Sequence, residues 1–163
     1  MNLSTTEIYT FLPILTPVGL WIAWNDLKTM LITNKTFLAT VAIFAVVGPF
    51  VMPFDTHLWR FAISGGILVI TFTLFAFGAF GGGDAKIFPA LGLFVAYSDW
   101  IDFMIILVAA MISAVLLVII LRMTPLQKYT PEWKTWNAGR FIPMGLALGS
   151  SIIFYYALAL NTL

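Results

Sequence analysis

At 163 residues the chain has room for one compact helical bundle and none for a further soluble domain of ordinary size, so a single domain over 1–163 is expected. With 61% hydrophobic and 9% charged residues and a mean hydropathy of +1.02, it reads as a membrane protein. The absence of cysteine excludes disulfides, a thiolate nucleophile and Cys-ligated zinc. A single histidine makes no metal cluster, and a net charge of +1 without a basic stretch offers no nucleic-acid surface. No metal or cofactor is expected, and the lipid bilayer is the first partner.

In chain order, six apolar segments run over 8–24, 37–53, 58–80, 87–96, 100–121 and 141–160. Five approach the ~20 residues a membrane-spanning helix requires. The opening MNLSTTE lacks the basic region of a cleaved signal peptide, so the first segment is expected to be a retained helix. The fourth is short and is expected to borrow residues on both sides, from about Asp84 to Ser98. Before it stands AFGGGDAK, residues 79–86, which sets a flexible backbone, a carboxylate and an ammonium among apolar runs. After the fifth comes MTPLQKYTPEWKTWNAGR, whose Tyr129, Trp133 and Trp136 read as anchors at the membrane interface.

Charge placement supports six crossings. If every segment crosses, Lys28, Lys35, Lys86, Arg122, Lys128, Lys134 and Arg140 share one side and only Arg60 the other, seven against one. Cytoplasmic loops carry such an excess. The expected fold is therefore all-α and polytopic, with six transmembrane helices, both termini outside and three basic loops in the cytoplasm. On this arrangement Glu7, Asp55, Asp99 and Asp102 lie at outer helix ends, where solvated or capping carboxylates are ordinary. His57 is outside as well and receives no role.

Two cytoplasmic acids adjoin membrane segments. Asp26 follows LWIAWN, at the cytoplasmic end of the first helix, and Asp84 stands where the third helix hands over to the fourth. Paired carboxylates at one depth suggest aspartic proteolysis, in which one acts as general base toward water and the other as general acid toward the peptide. Gly81, Gly82 and Gly83 would permit unusual φ/ψ values and close approach of an extended substrate. The plainer readings are that Asp84 caps the fourth helix and that Asp26 is an interfacial residue balanced by Lys28. Lys86 would bias Asp84 toward its charged form. Asn25, Asn34 and Arg140 are candidate neighbours of the pair by side and nearness. A small proton-coupled transporter and a non-catalytic assembly subunit remain as alternatives.

These residues carry a family resemblance. The sequence resembles the type IV prepilin peptidases, membrane aspartic proteases with a six-helix core. GGGDAK at 81–86 matches their G-x-G-D-x-K motif. NDLKTMLITNK matches the first aspartate and the turn after it, with Asp26, Ile32 and Asn34 in place and Thr33 where the family has proline. FIPMGLALG, with Pro143 and Gly145, matches a Pro-x-G stretch opening the last helix. The resemblance implies Asp26 and Asp84 as the catalytic pair and a prepilin or pseudopilin as substrate, cut after a glycine at the cytoplasmic face of the inner membrane. Lacking cysteines and the length for a further cytoplasmic region, the chain is expected to be a peptidase-only form, similar to the short enzymes that process Flp-type pilins. Presenilin-like proteases share a G-x-G-D motif; the small size, and a first aspartate expected outside the first helix, favour the prepilin type. The oligomeric state is left open.

Overall fold

A computed structural model describes residues 1–138 and 143–162. The chain is all-helical, and among the described residues no strand occurs. Helix α1, Thr5–Thr29, opens with a capping box: Ser4 Oγ accepts the Glu7 N–H, and the Glu7 carboxylate accepts the Ser4 N–H. It ends at Met30, whose left-handed φ of 52° stops the helix. α1 therefore runs past the apolar segment, and Asp26 lies inside it, in its last turn, rather than beyond it as expected. Helix ends follow caps here, not hydropathy.

Helix α2, Asn34–Val51, begins at Thr33, whose hydroxyl accepts the Thr36 N–H at 3.3 Å. The threonine standing in the family's proline position thus works as an N-cap. Helix α3, Phe54–Ala76, follows Pro53. Helix α4 is only Asp84–Gly92; α5 is Trp100–Met123, α6 a single turn at Leu126–Tyr129, and α7 Met144–Leu160. By length and composition, four helices can cross a membrane: α1, α2, α3 and the run Tyr97–Met123. α4 is too short to do so as a helix.

The closest helix pair is α1 with α7. A Cβ built on Gly19 would lie 2.4 Å from the Gly149 carbonyl oxygen, and one on Gly149 2.2 Å from that of Gly19. The two backbones therefore touch, as small residues allow in membrane bundles. Around this crossing Phe11, Phe44, Phe94, Phe103, Tyr155 and Tyr156 are fully buried. Outward positions of α5, such as Ile101 and Ile105, are exposed, as a lipid-facing surface would be.

The fourth segment sits inside the bundle, with every residue of 89–96 buried. Its beginning, Asp84, lies by the Asp26 end of α1. At its other end, Asp99 accepts the Asn2 N–H at 2.7 Å, beside the start of α1. The chain between them thus runs alongside α1, through the nine-residue helix α4, ~14 Å long, a turn, the extended Ala96 and the 3-10 turn Tyr97–Asp99.

That far end holds a polar cluster that sequence reasoning missed. Glu7 and Arg60 form a buried ion pair joining α1 to α3. Asp99 also accepts hydrogen bonds from Asn2 Nδ2 at 2.9 Å and from the Tyr155 hydroxyl at 2.9 Å. Glu7 thus caps α1 as expected while also pairing with Arg60, and Asp99 is a buried connector, not a solvated acid.

Candidate functional site

Asp26 is buried in the last turn of α1, with its Oδ2 accepting the Gly145 N–H at 2.6 Å. The donor is the second residue of α7, where backbone N–H groups lack intrahelical partners and a negative charge is favoured. A Cβ on Gly145 would sit 2.8 Å from that same oxygen, so glycine is what admits the carboxylate. Pro143, just before α7, fixes where the helix starts.

Asp84 is the first residue of α4; Gly83 holds the cap position and no side chain caps the helix. The capping role considered for Asp84 is therefore not what its side chain does. Its carboxylate interacts electrostatically with that of Asp26. Two acids 58 positions apart in sequence thus share one electrostatic environment.

Lys86 Nζ donates to Asn34 Oδ1 at 3.1 Å, tying α4 to the start of α2. The glycines do not serve by unusual dihedrals, since among the described residues Gly78 alone of the glycines has positive φ. Space is what they provide. A Cβ would meet Asp84 Oδ2 at 2.5 Å from Gly81, the Phe75 ring at 3.0 Å from Gly82, and Ile32 Cβ at 3.1 Å from Gly83. Asn25 Nδ2 donates to the Leu31 carbonyl at 2.7 Å and so shapes the turn after α1. Arg140 lies outside the described residues.

The loop after α5 contributes more than membrane anchors. Tyr129 is exposed, but Trp133 and Trp136 are buried and stack with centroids 5.7 Å apart, and Trp24 of α1 meets Trp133 edge-on at 5.0 Å. Thr135, fully buried, donates its hydroxyl to the carbonyl of Leu27, the residue after Asp26. A Thr between two tryptophans gave no signal of this in the sequence. Among the described residues no three His, Cys, Asp or Glu side chains gather as metal ligands.

Residues 14–121 match the model of the type IV leader peptidase family. The chain belongs to that family. The matched stretch contains Asp26, Asn34, the glycine run, Asp84 and Lys86, and stops before Thr135, Pro143 and Gly145. Membership in a protease family, together with several long apolar helices, marks a prepilin-peptidase-like membrane protein. No curated protein and no solved structure matches the chain.

Proposed function

We propose that the protein is an aspartic endopeptidase that removes the leader of type IV, Flp-like prepilins or pseudopilins at the cytoplasmic face of the inner membrane. The observation that carries this reading is the electrostatic contact of Asp26, which is buried, with Asp84, which is partly buried, at one end of the bundle. Six crossings are part of it: α1, α2, α3, the buried stretch 84–99, α5 and α7, with both termini outside. The seven basic residues then face the cytoplasm. We assign those charges to topology and to anionic lipid, not to a basic leader, which they would repel.

In the reaction one carboxylate is ionised and the other protonated, since two neighbouring carboxylates do not readily ionise together. The ionised one takes a proton from water as its oxygen attacks the peptide carbonyl. The protonated one hydrogen-bonds the carbonyl oxygen, and a proton passes to the leaving nitrogen as the C–N bond breaks. The substrate's apolar helix lies in lipid against the bundle and leaves an extended cleavage segment at the level of the pair. No cofactor takes part.

The test is leader removal by the protein in lipid vesicles with an Flp-type prepilin. Wild type is expected to cleave after a glycine, and folded Asp26→Asn and Asp84→Asn to lose at least a thousandfold in rate, the order expected when an essential acid or base is removed. A folded Asn variant that still cleaves, or a wild type inert toward a panel of prepilins, would refute the reading.

A further inference from the structure

Two hydrogen bonds reach Asp26 and its neighbour from beyond the stretch that matches the family model. Gly145 donates its N–H to the Asp26 carboxylate at 2.6 Å. Thr135 donates its hydroxyl to the Leu27 carbonyl. That carbonyl belongs to the last turn of α1, where the final four carbonyls lack intrahelical donors. The Asp26 carbonyl finds the Met30 N–H at 2.8 Å, and Leu27 finds Thr135. Thr135 is itself held, since its own carbonyl accepts Arg122 Nη2 at 2.8 Å and it lies between the stacked Trp133 and Trp136. Asp84 differs: it enters α4 from three glycines and no side chain caps its helix.

We propose that Thr135 is a positioning residue for Asp26: its buried hydroxyl fixes the last turn of α1 through Leu27, while Gly145 fixes the carboxylate itself. Asp26 is the clamped member of the pair, and the loop after α5 is a working part of the site. The inference rests on the peptidase reading above. Its logic is that small displacements of a reacting group are costly in rate but need not alter how the rest of the substrate binds.

Thr135→Val keeps the side chain's shape and removes the hydroxyl. The expected result is a fall in kcat of roughly tenfold with KM for the prepilin unchanged, and recovery to within about threefold in Thr135→Ser, which restores the donor. Thr73→Val is the control. Thr73 makes the same kind of hydroxyl bond, to the Val69 carbonyl at 2.7 Å, on an exposed part of α3, and its loss should leave kcat unchanged. Wild-type kcat in Thr135→Val, or a loss that Thr135→Ser does not recover, overturns the proposal. If Thr135→Val fails to fold, Gly145→Ala decides: it presses on the Asp26 carboxylate directly and should lower kcat at constant KM, and normal turnover there also overturns the proposal. A wild type that cleaves no prepilin would instead refute the peptidase reading, so the two failures are distinct.

Discussion

Asp84 stands at the first position of α4, where the Asp26 carboxylate is its electrostatic neighbour and Gly81 leaves room for its own carboxylate. At this scale the two aspartates were legible because each breaks an otherwise apolar run. Of the two uses expected of the glycines, unusual dihedrals are not seen, and what Gly81, Gly82 and Gly83 supply within the fold is room for Asp84, Phe75 and Ile32. Packing of that kind depends on which elements meet, and the bond from Lys86 to Asn34 on another helix is hidden from the sequence for the same reason.

Hydropathy made the long helices α1, α2, α3 and α5 visible, because lipid contact demands continuous apolar stretches. It could not place their ends. The end of α1 depends on Met30 and the turn after it, which is why Asp26 proved to be helical. Nor could hydropathy describe α4, since a stretch walled by protein on every side need not be a full-length helix. The α1–α7 crossing yields a sharper expectation. Gly19→Leu or Gly149→Leu would drive a side chain into a facing backbone oxygen, which cannot yield as a side chain does, so the loss should exceed the ~1–3 kcal/mol usual for overpacking. Gly65→Leu on α3 is the comparison, since a Cβ there meets nothing within 4 Å. Unfolding midpoints in a detergent titration measure both; similar losses would mean that helix propensity, not the crossing, sets the cost.

For the molecule as a whole, the six-crossing arrangement predicts opposite accessibility at two exposed positions. The chain has no cysteine, so single cysteines report cleanly. In sealed vesicles of known orientation, Lys128→Cys should react with an impermeant maleimide from the cytoplasmic side only, and Asp102→Cys from the outer side only. Reaction of both from one side would rule out the arrangement. The count of charges on each side is the sequence feature that argues for this topology. The cluster of Glu7, Arg60, Asp99 and Tyr155 was not readable, because it joins positions scattered over the chain, each unremarkable in its own surroundings.

Synthesis delivers α1 first and α7 last among the described helices. The backbone donor to Asp26 and the Gly149 surface that receives α1 both arrive with α7. A nascent chain that has inserted only its first five segments already holds both acids, yet Asp26 still lacks the amide that holds it in place. On the peptidase reading, cleavage by a nascent copy would have to wait until translation has passed residue 145 and α7 has docked against α1.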